Sequence, residues 1–215
     1  QGDDYSGGLC YYFKEAFEAL GGTVVSAEFP EGTSDFTSYV IAAKNAGADV
    51  FFSPVSTEAA ALIVDNAAAQ GLGMPIMAGD TWDSNVITGA AQGKDVEIYV
   101  TTFYQEGGNA EFDAGIKEWI NADATRLSNN NGNDMIAAVS AMGYDAYYVA
   151  LEALKAAGST DKAAVKAALP DVTYTGVSGS IAFDEQGDAI RDTAYIKTAD
   201  TANNAWTLET VQTVE

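Results

Sequence analysis

The chain has 215 residues, of which 31 are acidic, 10 are basic and none is histidine, so its formal net charge is −21 at pH 7. A surface of this sign repels phosphate backbones and anionic lipid headgroups, which argues against a nucleic-acid partner. The lack of histidine excludes a histidine-based catalytic dyad or zinc site, while 47% hydrophobic residues suffice for a packed core.

The single cysteine, Cys10, excludes a disulfide within this sequence, and its apolar setting in GLCYYF favours packing in the core. There is no run of 18 apolar residues, so the sequence predicts no transmembrane helix. The chain begins with QGDDYSGG, without a methionine or a signal peptide, which is an unusual start for a natural domain.

Short β-rich runs alternate with helical segments over the first hundred residues. The predicted strands are 23–29, 49–54, 75–79 and 96–103, and the predicted helices are roughly 6–20, 34–46, 57–71 and 84–91. The strand starts are spaced by about one β–α unit, so we expect a parallel sheet that is covered by helices.

The pattern changes twice in the remainder of the chain. Predicted helices cover 109–127, 135–158 and 160–169, with a loop at 129–134. After Pro170 the sequence predicts an antiparallel hairpin that turns through DEQGD at 184–188, and then one more strand at 205–212. The order is therefore α/β, then helices, then β.

Signatures of catalysis and cofactor binding are missing from the sequence. The glycine-rich stretches do not complete a dinucleotide-binding or phosphate-binding loop, there is no G-x-S-x-G, and DEQGD lacks the ligand spacing of a calcium loop. The sequence therefore predicts no catalytic residue, no metal site and no cofactor.

Polar loops follow the predicted strands and lead into helices. In open parallel sheets ligands bind beyond the carboxyl ends of the strands, and helix N-termini there offer free amide groups. We expect the loops 3–8, 53–58 and 79–84 to meet at that edge. Their side chains suited to a small polar ligand are Tyr5, Ser6, Ser53, Ser56, Thr57, Asp80, Thr81 and Trp82.

Asp80 is the strongest candidate among these residues, because the following helix is already supplied with capping groups by Asp83 and Ser84. A carboxylate at a strand end can accept hydrogen bonds from a ligand ammonium group. The alternative is a turn or capping aspartate. The alternative for Trp82 is a hydrophobic lid on its own lobe. The alternative for Tyr5 is ordinary packing. Ser56 is favoured more as a helix cap than as a group that binds the ligand.

Several motifs resemble one known family, the branched-chain amino acid substrate-binding proteins of ABC transporters. These are DDYSGG before a helix, GDTWDS, the helical GYDAYYVALEAL at 143–154, and YTGVSGSIAFDEQGD at 174–188. The last of them is the most specific, and the matches follow the right order over nearly the whole chain. The resemblance implies the type I periplasmic-binding-protein fold, in which two α/β lobes close on a ligand.

The resemblance also assigns segments and residues. It implies that 1–102 is the α/β core of the C-terminal lobe, that 103–172 is a helical segment returning to the N-terminal lobe, and that 173–215 is the final crossover and edge strands. The sheet of the N-terminal lobe is then lacking from this chain. The resemblance implies that Asp80 holds the ammonium group of the ligand and that Tyr5 lines the cleft. Members of the family often have an aromatic pair in the loop at 53–58, where this chain has Val55 and Ser56.

The expected function is that of a non-enzymatic, extracytoplasmic solute-binding component of an ABC importer, either periplasmic or a cell-surface lipoprotein. Its ligand would be a small amino acid or a related polar metabolite, and its partner a membrane permease. A sensor domain of the same fold and a sugar-binding protein are alternatives. Because the helices at 103–172 are implied to cover a sheet that this chain lacks, we expect the chain alone to self-associate.

Overall fold

Helices and short strands alternate along the computed structural model, which describes residues 3–191 and 193–213. The helices are α1 (Asp4–Ala19), α2 (Thr37–Asn45), α3 (Thr57–Ala69), α4 (Asn85–Ala91), α5 (Ala110–Asn121), α6 (Ala124–Asn129), α7 (Ala138–Ala157) and α8 (Lys162–Ala168). The strands are β1 (Phe51–Phe52), β2 (Ile76–Ala78), β3 (Ile98–Thr102), β4 (Tyr174–Gly176), β5 (Gly179–Phe183), β6 (Ala189–Ile190), β7 (Thr193–Asp200) and β8 (Ala205–Thr213). Short 3₁₀ turns occupy Asp80–Trp82 and Leu169–Asp171.

A five-stranded sheet in the order β1-β2-β3-β7-β8 organises the fold. The first three strands are parallel, with Phe51 opposite Ile76 and Ile76 opposite Ile98, whereas β7 and β8 add antiparallel pairs at one side. The strands β4, β5 and β6 form a separate antiparallel sheet. The prediction of an α/β fold, with a parallel-rich sheet flanked by helices, is therefore confirmed.

The largest core lies between this sheet and α2, α3 and α4. It forms because α3 places apolar residues at helical spacing on one face. This face packs against the apolar side chains of β2 and β3. Its fully buried members include Val40, Ala60, Val64, Ile76, Trp82, Ile87 and Ile98. Two smaller apolar clusters lie in the later part of the chain, one around Tyr104 and Phe112 and one around Val149 and Ile181.

Most predicted elements are confirmed, including the three strands after residue 49, the hairpin through 184–188 and the last strand. The predicted strand at 23–29 is wrong, because this stretch is neither helix nor strand in the structure. A strand needs a neighbour that accepts and donates backbone hydrogen bonds, and no described strand pairs with residues 23–29. Val25 accordingly remains 79% exposed.

The predicted helix at 109–127 is two helices, α5 and α6, that are separated at Ala122 and Asp123. The Asp123 carboxylate accepts hydrogen bonds from the amides of Thr125 and Arg126, which starts a new helix where the pattern predicted a continuous one. The helix predicted from 135 begins instead at Ala138, as α7.

The expectation that Cys10 packs in the core is wrong, because its side chain is exposed. Ser6 is the only buried residue of α1, so this helix lies on the surface of the described chain with its apolar residues largely uncovered. Among the described residues, the helices are too short or too polar to cross a lipid bilayer.

Candidate functional site

The carboxyl ends of β1 and β2 lie at the same edge of the sheet because these strands are parallel. Ser53 directly follows β1, and Asp80 follows β2 after Gly79. The N-terminus of α1 reaches this edge as well, where the Asp3 side chain caps it by accepting from the Ser6 amide at 2.7 Å. The three predicted loops therefore meet, as expected from strand order.

A hydrogen bond of 2.8 Å from the Tyr5 hydroxyl to Asp80 Oδ1 joins two of these loops. The Tyr5 ring end lies directly over Gly79, where a Cβ atom would sit only 3.0 Å from the hydroxyl oxygen. An ionised carboxylate offers about four acceptor sites on its two oxygens, and the bond from Tyr5 uses one of them. Tyr5 thus orients Asp80 while leaving it capacity to accept from a further donor.

Burial raises the pKa of the Tyr5 hydroxyl to about 12, and the neighbouring Asp80 carboxylate raises it as well. The hydroxyl therefore keeps its proton at neutral pH and serves as the donor of the bond to Asp80. A donor that stays neutral adds no positive charge to the site, so the local charge is that of the carboxylate.

Reciprocal bonds between threonine side chains and backbone carbonyls tie the second loop to the third. Thr81 Oγ1 donates to Val55 O at 2.8 Å, and Thr57 Oγ1 donates to Thr81 O at 2.8 Å. Ser53 is buried, with its amide donating to Met77 O at 2.8 Å, and Ser56 occupies the N-cap position of α3. These bonds tie the two loops to each other, which favours a preformed site over a flexible one.

Trp82 lies beneath the site, in the large core, with no exposed surface. Its burial fits the alternative interpretation, a hydrophobic residue that packs on its own lobe. Contact between Trp82 and a ligand stays a prediction. Two shallow depressions, of about 300 Å³ and 270 Å³, lie away from Asp80 and Tyr5, one along β4 and β5 and one around Leu72 and Glu97.

Sequence reasoning missed a buried ion pair directly behind this edge. Asp83, interpreted as a helix cap, is 1% exposed, and its Oδ2 accepts from Lys197 Nζ at 2.9 Å and from Thr102 Oγ1 at 2.8 Å. Burial raises the pKa of the Asp83 carboxyl, while the charge of Lys197 acts in the opposite direction. No local pattern reveals this pair, because Asp83 and Lys197 are 114 residues apart in the chain.

A second buried carboxylate, Asp145 on α7, was also missed. It accepts hydrogen bonds from the amides of Val177 and Ser178 and from the Ser178 hydroxyl. Arg191 donates to Ser178 O at 2.9 Å from the far side of the hairpin. Asp145 therefore fastens the β4–β5 turn to α7, which gives a structural role to the two motifs at 143–154 and 174–188.

Comparison with known proteins finds one family whose pattern covers nearly the whole chain. The family model described as "Periplasmic binding protein" matches residues 1–204. No curated protein matches the chain significantly.

Solved structures show the same fold. A leucine-binding protein from Thermotoga maritima is 28% identical, with a TM-score of 0.76 over 98% of this chain and 58% of that protein. A branched-chain amino acid binding protein from Streptococcus pneumoniae, in complex with isoleucine, is 24% identical, with a TM-score of 0.68 over 99% and 57%. A solute-binding protein from R. palustris, in complex with benzoate, is 19% identical, with a TM-score of 0.76 over 96% and 55%. The chain therefore spans less than two thirds of the length of these proteins.

Proposed function

The chain belongs to the periplasmic binding protein family, and from that premise we propose that it is part of the solute-binding component of an ABC importer. Its ligand is a small amino acid or a related polar metabolite, held between two lobes. The observation that carries the proposal is the Asp80 carboxylate at the carboxyl end of β2, oriented by Tyr5 and able to accept a further hydrogen bond.

An ammonium group is the ligand feature that this site suits best. A carboxylate accepts charge-assisted hydrogen bonds from a cation, while it repels an anion such as benzoate. The neutral Tyr5 hydroxyl does not offset that negative charge. Neighbouring structures include proteins in complex with isoleucine and with benzoate, and the charge at Asp80 favours the zwitterionic amino acid.

The division into 1–102, 103–172 and 173–215 is part of the same proposal. The first and last segments share one sheet, because β7 and β8 continue from β3. The middle segment is helical and belongs to the opposing lobe, so ligand binding closes the two lobes and a membrane permease recognises the closed form. The family name supports action outside the cytoplasm, as a periplasmic protein or a surface lipoprotein.

Isothermal titration calorimetry of the full-length protein with L-leucine tests the role of Asp80. Replacement Asp80→Ala removes a charge-assisted hydrogen bond worth roughly 1.5–3 kcal/mol, so affinity should fall about 10- to 100-fold. Asp49→Ala is the matched control, because this exposed aspartate precedes β1 at the opposite edge of the sheet. Equal affinities of Asp80→Ala and the parent protein would refute the proposed contact.

A thermal-shift panel of L-leucine, benzoate and glucose tests the ligand class. A specific ligand at a hundred times its dissociation constant stabilises the folded state by about 2.7 kcal/mol. We expect a response to the amino acid. A response to glucose alone would establish sugar binding instead.

A further inference from the structure

The loop that carries Asp80 continues directly into a cluster of buried polar contacts. Asp83 and Asn85 are 1% and 4% exposed, although both are polar. Burial of such groups is costly without partners, so their contacts define where this part of the chain must sit. We call Asp83, Asn85 and Lys197 together the polar fastening.

Three separate parts of the fold meet at the Asp83 carboxylate. Thr102, at the end of β3, and Lys197, on β7, both donate to it. The amide of Ala138, the first residue of α7, faces the same carboxylate and favours its charged form. An anion at a helix N-terminus is stabilised by the free amides there, and α7 begins with an alanine at its N-cap position.

Asn85 joins the same cluster to the loop that leads into α7. Its side-chain amide donates to Asn133 Oδ1 at 2.9 Å and to Asn130 O at 3.0 Å. In return, Asn131 Nδ2 donates to Asn85 O at 2.8 Å. The loop approaches Gly89 closely, because a Cβ atom there would overlap the end of the Asn131 side chain and displace it.

These contacts link Asp80, the candidate ligand-binding carboxylate, to the helical segment through few residues. Asp80 is the first residue of the 3₁₀ turn, and Asp83 is its C-cap. The Asp83 amide donates to Asp80 O at 3.0 Å. Asp83 therefore connects the turn that carries Asp80 to β7 and to the start of α7. Buried ion pairs are often no more stabilising than apolar replacements, so a pair in this position is better suited to fixing geometry.

We infer that Asp83, Lys197 and Asn85 are positioning residues that hold the Asp80 loop in register with the helical segment. All three are buried, so they act through the Asp80 loop. Their consequence for affinity rests on the proposed function, because it assumes that Asp80 grips the ligand. Loss of the fastening removes the contacts between the Asp80 loop and the start of α7, while the bonds of Thr57 and Thr81 still tie that loop to the loop after β1.

Hydrogen–deuterium exchange on the full-length protein without added ligand tests the fastening itself. The double replacement Asp83→Leu with Lys197→Met removes the buried charges together, so neither charge is left unpaired in the core. We expect several-fold faster exchange in peptides covering 79–85 and 130–138, with unchanged exchange in α3. Wild-type exchange in both peptides would overturn the inference.

Asp113→Asn is the matched control, because Asp113 is also a buried carboxylate but accepts from Tyr104 and Gly107 instead. It should leave exchange at 79–85 unchanged, and an equal effect there would mean that the response is general loosening. Lys197→Arg keeps the charge, so exchange at 79–85 and 130–138 should stay slow. Lys197→Met alone should make exchange in these peptides faster.

Calorimetry with L-leucine then tests the consequence for affinity. The double replacement should weaken binding roughly 2- to 30-fold, the range measured for residues that act at a distance. If Asp80→Ala leaves L-leucine affinity unchanged while exchange at 79–85 still rises in the double variant, the proposed function fails and the fastening stands. Wild-type exchange in the double variant, together with weaker binding by Asp80→Ala, would refute the fastening and leave the proposed function intact.

Discussion

The α/β part at 34–102 and the helical segment at 103–172 contain similar apolar residues but bury them differently. In the α/β part, β2, β3 and three helices enclose one continuous core. In the helical segment, Val139 and Tyr147 on α7 are 64% and 67% exposed, and Trp119 on α5 is 57% exposed. Apolar spacing along a helix therefore indicates a face to be covered but does not say what covers it.

The expectation that the helical segment needs a partner surface is only partly met within the described chain. Ile136 and Val149 are buried, whereas Val139, Tyr147 and Leu154 remain exposed. Exposed apolar side chains mark an interaction surface where they form one patch. Variants in the two parts test this difference in burial.

The largest expected effect is on the core of the α/β part. Ile98 is completely buried in β3, so Ile98→Ala leaves a cavity and should lower the free energy of unfolding by about 2–5 kcal/mol. Val139→Ala in α7 should change it by no more than about 0.5 kcal/mol. Urea denaturation of both variants measures the contrast, and equal losses would show that Val139 is covered in solution.

A smaller loss of stability is expected where α7 contacts the β4–β5 turn. A Cβ atom at Gly176 would overlap the Asp145 carboxylate, so Gly176→Ala should destabilise by about 1–3 kcal/mol. Gly143 lies in α7 with open space around it, and Gly143→Ala should stabilise by about 0.5–1 kcal/mol. Thermal unfolding of this pair shows whether α7 is held tightly at one face; destabilisation by both changes would contradict the open space at Gly143.

The exposed α7 face should drive association of the 215-residue chain. Replacing Val139 and Tyr147 together by serine should shift sedimentation towards the monomer, because it removes apolar area from the uncovered face. Val86→Ser on α4 is the control, since Val86 is also exposed at 46% but lies outside the helical segment. A monomeric parent chain would remove the basis of this prediction.

The smallest expected effect concerns the single bond that orients Asp80. The pKa of Tyr5 is raised from 10.0 to about 12, so its contribution to stability is fully present below pH 10 and is lost as pH rises through about 12. Ultraviolet titration of phenolate formation in the parent chain and in Tyr5→Phe isolates this group. Disappearance of a titration step near pH 10 in Tyr5→Phe would contradict the hydrogen bond from Tyr5 to Asp80.

Local patterns in the sequence determined most of the secondary structure of the α/β part. Apolar runs and helical spacing predicted β1, β2 and β3 and the helices between them, because periodicity depends on residues a few positions apart. The order of these elements placed Asp80 and Ser53 at one edge of the sheet, since parallel strands share their carboxyl ends. The sequence alone therefore sufficed to predict that Asp80, Thr81 and Tyr5 are neighbours.

Tertiary structure decided the features that depend on distant partners. The stretch 23–29 has strand-forming residues, but a strand exists only where another strand pairs with it. Asp83 has the local character of a helix cap, yet Lys197, 114 residues away, makes it half of a buried ion pair. Cys10 and Val139 have apolar surroundings in sequence but remain exposed, because burial depends on which surfaces the rest of the fold brings against them.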